Sequence, residues 1–263
     1  MKYVIVTGAY GGMGKKAVEL FASSGFTVFA LDIKIKEPTH NVIPILADVT
    51  SIESLALAFE KIKSVTDKVF AIIHFAGVYA LDSLVEMDSL EFDKIFKINL
   101  YGAFNVNKTF LPLLEKNSRI VMITSELAPL DPLPFTGVYG VSKRALDSYA
   151  YSLKMELQLL GIFVSVLRAG AVATDMLGVS TDALNRFCEK TQLYKVNSKR
   201  FKKIVDSVES KSISPEKLAK KALKIATKSK PKFAYSINRN KLLLLLNALP
   251  KSLRFAIIKK ILK

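Results

Sequence analysis

Along the first two-thirds of the chain, short apolar runs alternate with longer stretches in which apolar residues return every three or four positions. The runs at 3–7, 27–31, 42–47, 69–75, 120–124 and 163–167 are of strand length and rich in Val, Ile and Phe. Runs without a polar face predict strands covered on both sides. Segments 13–23, 51–65, 89–115 and 138–160 carry helical spacing instead. Strands alternating with helices predict an α/β fold, a doubly wound parallel sheet with helices on both faces. No repeat, low-complexity linker or composition break interrupts the pattern before residue 175. A single domain over residues 1–237 is therefore expected, with an extension over 238–263.

Near the end the pattern changes. Ser214-Pro215 predicts a helix start, with serine as N-cap and proline in the first turn, and 232–235 predicts a last strand. After Pro250 the apolar residues Leu253, Ile257, Ile258, Ile261 and Leu262 fall on one arc of a helical projection, interrupted by Arg254. Lys251, Lys259, Lys260 and Lys263 lie between them. A basic amphipathic helix of this kind suits a membrane interface, a subunit contact or a cover over a pocket. The longest unbroken apolar run, 242–246, is far short of the roughly 20 residues of a spanning helix.

Composition narrows the picture. Of 263 residues, 50% are apolar and 24% charged, as in a folded globular chain. The lone Cys188 leaves no intramolecular disulfide framework and fits a reducing compartment. The two histidines, His40 and His74, are too far apart in sequence for zinc-ligand spacing. The N-terminus runs straight into a strand with no secretory leader pattern, so a cytoplasmic protein is expected. The net charge of +16 is unevenly placed: residues 1–189 hold 18 Lys and Arg against 20 Asp and Glu, residues 190–263 hold 21 against 3. A neutral body with a basic end suggests an anionic surface as partner, or a solvated lysine face. No nucleic-acid reader motif accompanies the charge, and charge alone gives only non-specific binding.

The first strand leads directly into Thr7-Gly8-Ala9-Tyr10-Gly11-Gly12-Met13-Gly14, and a helix follows. Glycines at 8, 12 and 14 let the backbone turn tightly and approach a pyrophosphate, which the helix N-terminus would attract. No Gly-Lys-Ser/Thr ends the loop, so it is not a Walker loop. Asp32 closes the second strand 20 residues after Gly12. A carboxylate there accepts hydrogen bonds from ribose hydroxyls and repels a 2′-phosphate, which favours NAD(H) over NADP(H). Lys34 and Lys36 act against that preference.

These residues resemble the classical short-chain dehydrogenase/reductase family, closely over 1–176 and loosely over 177–237, where the steroid- and retinol-type branch is the nearer likeness. Thr7-Gly8-x-x-x-Gly12-x-Gly14 is similar to that family's cofactor motif. Asp48, in Ala47-Asp48-Val49-Thr50, matches its adenine-contacting Asp. His74-Phe75-Ala76-Gly77 stands where the family has Asn-Asn-Ala-Gly. Asn99, Ser125 and the pair in Tyr139-Gly140-Val141-Ser142-Lys143 match its catalytic tetrad, in order. From Ser125 to Tyr139 the spacing is 14 residues against the common 13, with the extra residue assigned to the loop 129–134. Arg168-Ala169-Gly170-Ala171-Val172-Ala173-Thr174 resembles the Pro-Gly-x-Val-x-Thr segment at the nicotinamide end, alanine replacing proline.

The resemblance implies a Rossmann fold, with cofactor contacts from Gly8, Tyr10, Gly12, Met13, Gly14, Asp32, Asp48, Val49, Ala76, Gly77, Val172 and Thr174, together with Asn99, Tyr139 and Lys143. It implies no metal. Tyr139 and Lys143, four apart on a helix, share a face, and a nearby ammonium is expected to lower the phenol's pKa from about 10. In the family this Lys also holds the nicotinamide ribose, Ser125 would hold the substrate oxygen, and Asn99 would anchor a proton-relay water. A variable lid is implied over 175–213, where Met176, Leu177, Leu184, Phe187, Leu193, Tyr194 and Phe201 either line a pocket for a hydrophobic steroid, retinoid or lipid-like substrate or serve ordinary helix packing. The reaction implied is interconversion of a secondary alcohol and a carbonyl by a homodimer or homotetramer. A nucleotide sensor without turnover is the competing reading, opposed by the retained Ser125, Tyr139 and Lys143.

Overall fold

The computed structural model describes residues 2–173, 175–209 and 211–263, and the side chains of these except 175–181, 208 and 209. Strands β1 (Lys2–Thr7), β2 (Phe26–Asp32), β3 (Val42–Leu46), β4 (Ala71–His74), β5 (Arg119–Ser125), β6 (Phe163–Ala169) and β7 (Ala234–Ile237) form one parallel sheet. Their order is β3-β2-β1-β4-β5-β6-β7. The order reverses between β1 and β4, and open sheets of this kind bind ligands outside the carboxyl ends of the strands at that reversal.

Helix α1 (Gly12–Ser23) follows β1, α2 (Ile52–Lys63) follows β3, α3 (Ser89–Phe96) and α4 (Gly102–Phe110) follow β4, α5 (Gly137–Leu157) follows β5, and α8 (Pro215–Thr227) precedes β7. Successive strand residues point to opposite faces. Val4 and Val6 thus enter the layer beneath α1 and α8 with Phe21, Leu218 and Ile225, whereas Ile5 enters the layer beneath α2 and α4 with Leu55, Ile62 and Phe110. Each fully buried Ile or Phe stabilises the fold by about 1.5–3 kcal/mol. Both faces are covered, which is why the strands read as continuous apolar runs.

The expected helix over 89–115 is interrupted. A π-helical turn, Lys97–Tyr101, separates α3 from α4, and a 3-10 turn, Leu111–Leu113, follows. The π turn carries Asn99 inward, where its side chain clamps the backbone of Val78. Pro112 lacks an N–H and cannot continue α4. Strand β4 is shorter than 69–75, and β7 begins two residues later than 232–235. Ahead of it the Lys232 N–H donates to the Tyr235 hydroxyl at 2.8 Å and its carbonyl accepts from the Ser165 hydroxyl, so a local turn occupies the start of the expected strand.

Over the carboxyl edge lie α6 (Asp175–Lys190) and α7 (Lys195–Glu209). Phe135 is their hub, its ring centroid 4.8 Å from Phe187, 5.1 Å from Tyr194 and 5.4 Å from Phe201. The turn between the helices is fixed by Glu86, whose carboxylate accepts from the Thr191 hydroxyl and from the N–H groups of Gln192 and Leu193.

The helix expected after Pro250 is α10 (Lys251–Leu262), and a second short helix, α9 (Lys241–Ala248), precedes it across Leu249-Pro250. One edge of α10's apolar arc is turned inward: Leu262 is buried among the lid aromatics with Ile258 beside it, whereas Leu253 and Ile261 are exposed. Arg254, which interrupts that arc, is buried too, pairing with Asp131 and bonding Asn247 and the Leu249 carbonyl. The Leu262 carbonyl accepts from Asn197 of α7 at 2.7 Å. Part of the arc therefore serves intramolecular packing. Among the described residues, no helix is long and apolar enough to cross a membrane.

Candidate active site

The cofactor-side residues converge on one cleft. Gly8, Tyr10, Gly12, Met13 and Gly14 after β1, Asp32 from β2, Asp48 and Val49 after β3, and Ala76 and Gly77 after β4 all line it, and it measures about 470 Å³. Gly8 has φ +62°, and a Cβ on it would stand 2.6 Å from the Ala76 nitrogen. A Cβ on Gly14 would stand 2.0 Å from the Gly8 carbonyl oxygen. The backbone of the first turn is thus packed as closely as glycine alone permits. Gly11 is the N-cap of α1 and offers no side chain, so first-turn N–H groups stay free for an anion. A nicotinamide dinucleotide fits this set of groups.

Asp32 accepts from the Tyr10 N–H at 2.9 Å and the Lys34 N–H at 3.1 Å, fixing its carboxylate at the cleft. Asp48 accepts from the Thr50 N–H and hydroxyl through Oδ1. Lys34, Lys94 and Lys97 also line the cleft, and the last two were not singled out by motif.

Beside the cleft, and sharing Met13, Phe75, Gly77 and Val78 with it, is a cavity of about 210 Å³. Ser125, Tyr139, Lys143 and Val172 line it, together with lid residues Phe201, Ile204 and Val205 and tail residue Leu243. Thr174 lies outside the described residues, as do the side chains of Met176 and Leu177. Leu184 and Phe187 belong to the packed lid cluster, with Tyr194 against it, and Leu193 is exposed.

Ser125 ends β5 with its Oγ accepting from the Leu127 N–H at 3.2 Å, and its hydroxyl bonds that of Tyr139. The Tyr139 ring packs edge-on against Tyr79, centroids 4.6 Å apart. Lys143 is buried, its Nζ donating to the Ile123 carbonyl at 3.3 Å. Gly77 makes room for it, since a Cβ there would be 3.2 Å from Nζ and 3.1 Å from Asn99 Oδ1. Asn99 accepts from the Val78 N–H at 2.8 Å and donates to the Val78 carbonyl and to Ser142 Oγ, each at 3.0 Å. Ser142 in turn donates to the Tyr139 carbonyl at 2.8 Å. This fully buried serine ties Asn99 to the Tyr139 helix; the only sign of it in the sequence is a small hydroxyl residue directly before Lys143.

One expectation is corrected. Lys143 does not lower the Tyr139 pKa in this structure. Burial pushes the phenol up to about 12, the Ser125 bond opposes, and the nearby Glu126 carboxyl raises it further. The ammonium is 5.9 Å from the Tyr139 ring centre and spent on the Ile123 carbonyl; burial pulls its own pKa down to about 8. The phenol therefore keeps its proton at neutral pH.

His74, at the position of the family's first Asn, is buried and neutral, its pKa pulled to about 4 by burial. Its Nε2 lies 2.9 Å from Asn107 Oδ1, and Asn107 donates to the Tyr149 hydroxyl. A hydrogen-bonded link from β4 through α4 to α5 is thus kept with different residues. The segment after β6 is held by the Ala173 N–H donating to the Ile213 carbonyl at 2.7 Å and the Ile213 N–H donating to Ala171, so the absent proline leaves it anchored.

The family model for short chain dehydrogenases matches residues 2–185. The chain is 30% identical over 186 residues to the oxidoreductase UcpA of Escherichia coli, covering 66% of this chain and 71% of that one. It is 26% identical over 231 residues to a 3-ketodihydrosphingosine reductase of Bacteroides thetaiotaomicron, covering 88% and 85%. A short-chain dehydrogenase from Streptomyces avermitilis superposes with a TM-score of 0.77 at 18% identity, over 98% of this chain and 95% of that one. The chain belongs to the short-chain dehydrogenase family and is an NAD(P)(H)-dependent oxidoreductase.

Proposed function

We propose that this enzyme interconverts a secondary alcohol and a carbonyl on a hydrophobic substrate of steroid, retinoid or lipid-like kind, with NAD(H) preferred over NADP(H). The observation that carries the reading is the convergence of Ser125, Tyr139 and Lys143 on a mostly apolar cavity that adjoins the glycine cradle. In reduction the neutral Tyr139 gives its proton to the substrate oxygen, and Ser125 holds that oxygen as charge develops on it. Asn99 acts behind them, fixing the Val78 backbone and, through Ser142, the helix that carries Tyr139. The bound nicotinamide supplies or accepts the hydride. Gly8, Gly12, Met13, Gly14, Tyr10, Asp48, Val49, Ala76, Gly77 and Val172 would hold the dinucleotide, with Lys143 and Thr174 at the nicotinamide end.

Asp32 supports the NAD(H) preference, since its fixed carboxylate would repel a 2′-phosphate; Lys34 on the same cleft opposes it. The similarity to a 3-ketodihydrosphingosine reductase supports a lipid-like substrate. A homodimer or homotetramer is supported by exposed Tyr101, Phe104, Tyr151 and Met155 on neighbouring helices. Peripheral attachment of a cytoplasmic enzyme to anionic membrane is supported by the lysine-rich end and by exposed Leu242, Leu245 and Leu253. Incubation with NADH or NADPH and panels of steroid, retinoid and alkyl ketones, followed by nicotinamide absorbance, tests the reading. Absence of turnover with both nicotinamides, in either direction, overturns it.

A further inference from the structure

Glu126 is a charged side chain in the substrate cavity that the chemistry above does not use. It directly follows Ser125, is only 7% exposed, and lines the same cavity as Ser125 and Tyr139. Sharing that lining with Ser125 and Tyr139, the carboxyl faces the cavity in which the substrate oxygen would sit. One oxygen is fixed: Oε2 accepts from the Asn240 N–H at 2.6 Å, where Asn240 caps α9. The other, Oε1, has no hydrogen-bond donor among the described residues. Gly170 makes the arrangement possible, because a Cβ there would stand 3.0 Å from Oε1 and 2.0 Å from the Asn238 carbonyl oxygen.

The wall around this carboxyl is mostly apolar, with Phe75, Val78, Leu133, Phe201 and Leu243 among its members. Oε1 keeps accessible surface in the cavity, where solvent reaches it, and burial of the side chain raises the pKa of Glu126 despite the nearby Arg239. A ligand that brings its own donor replaces that solvent; a plain hydrocarbon beside the reacting carbon strips it away and leaves the oxygen unpaired. Fixed by the tail and seated by Gly170, the carboxyl is preorganised for such a donor.

We propose that Glu126 selects substrates that carry a hydrogen-bond donor, an ammonium or a hydroxyl group, close to the reacting carbon, with an apolar remainder. The proposal rests on the alcohol–carbonyl reading for its substrate class, and its test separates the two. Three matched long-chain secondary alcohols, one plain, one with a neighbouring hydroxyl and one with a neighbouring amine, are titrated calorimetrically into the NAD-loaded enzyme. The corresponding ketones are then assayed with NADH. A donor-bearing alcohol is expected to bind roughly 10- to 100-fold tighter than the plain one, the range of a buried hydrogen bond to a charged group. Preference for the amine alone identifies an ammonium, and preference for the diol alone a hydroxyl. Glu126→Gln still accepts from Asn240 but carries no charge, so it should erase the amine's advantage; Glu126→Leu should erase both. Equal affinity for all three alcohols in the unmodified enzyme overturns the proposal even if the ketones are reduced, and this outcome needs no variant to fold. Selectivity that survives both substitutions overturns the assignment to Glu126. Selective binding without turnover of any ketone overturns the oxidoreductive reading and leaves the binding proposal standing.

Discussion

Replacing Lys143 with Met should make the protein more stable while abolishing its turnover. In the fold the ammonium is buried and its pKa falls from 10.5 to about 8. At about 1.36 kcal/mol per pH unit, the charged form is disfavoured in the folded state by about 3 kcal/mol. Met has similar length, no charge and the flexibility to fill the same channel. It forfeits the bond to the Ile123 carbonyl, worth about 1 kcal/mol. The net gain is about 2 kcal/mol at neutral pH, or roughly 4–8 °C in melting temperature for a chain of this size.

The sign with pH follows from the direction of the shift. Below about pH 8 the lysine is protonated in both folded and unfolded chains, and the folded state bears the whole penalty. Between about 8 and 10.5 the folded protein sheds the proton while the unfolded chain keeps it, so the native lysine protein gains on the variant as pH rises. Melting followed by circular dichroism at pH 7 and pH 10 checks this; the chain contains no tryptophan, so intrinsic tryptophan fluorescence cannot report it. A variant no more stable than the native protein at pH 7, or an advantage that grows toward pH 10, would refute burial of the ammonium as the cause. Stability gained at a functional group's expense is the usual trade at a strained active site.

Other outcomes follow from the same geometry. Tyr139→Phe should lower turnover by roughly 10²–10⁴-fold while dinucleotide binding, read by calorimetry, persists. Carbonyl reduction should decline above about pH 8 as Lys143 loses the charge it would offer at the nicotinamide end, although Tyr139, raised to about 12, still holds its proton there; a rate rising through that range would contradict the assigned roles. Asp32→Ala should raise kcat/KM with NADPH relative to NADH, as the carboxylate that opposes a 2′-phosphate is gone. Gly14→Ala should abolish dinucleotide binding, since its Cβ would stand 2.0 Å from the Gly8 oxygen, and unchanged affinity would show that the turn can open. Full-length protein should co-sediment with anionic but not neutral vesicles, and Leu242→Ser with Leu245→Ser should release it.

The α/β alternation was legible because both faces of the sheet are covered, leaving strands such as 120–124 wholly apolar. The glycine turn and the residues from Ser125 to Lys143 were legible because their chemistry demands particular residue types at fixed positions along one strand or helix turn. Periodicity could not show the π turn at Lys97–Tyr101, whose extra residue per turn barely disturbs a helical apolar pattern over one cycle. Nor could it show that Asn99, Val78 and Ser142 form one bonded unit, since the partners come from three separate segments. The Tyr139 pKa was misjudged for a physical reason: spacing shows that a lysine is near, whereas burial and the competing Ile123 carbonyl decide what it does.

The tail shows the same limit from another side. Its sequence places 18 more basic than acidic residues after position 189, and that charge invites an electrostatic account of how it is held. The contacts that dock it are of another kind. Asn240 donates to Glu126, Asn247 accepts from the Asp131 N–H, Asn197 donates to the Leu262 carbonyl, and one buried guanidinium, Arg254, meets Asp131. Asp131 is held below the ordinary carboxylate range by that arginine. Lys251, Lys259, Lys260 and Lys263 remain exposed. Docking by amides and a single paired arginine leaves the lysine charge uncommitted, so the tail can close the substrate cavity with Leu243 and still present a basic, leucine-bearing surface outward. The cavity wall is then a face of α9, and the outer surface is shared between exposed leucines of α9 and lysines of α10. A substitution such as Asn247→Leu, which loosens the docking without touching a lysine, should alter substrate KM before it alters vesicle binding.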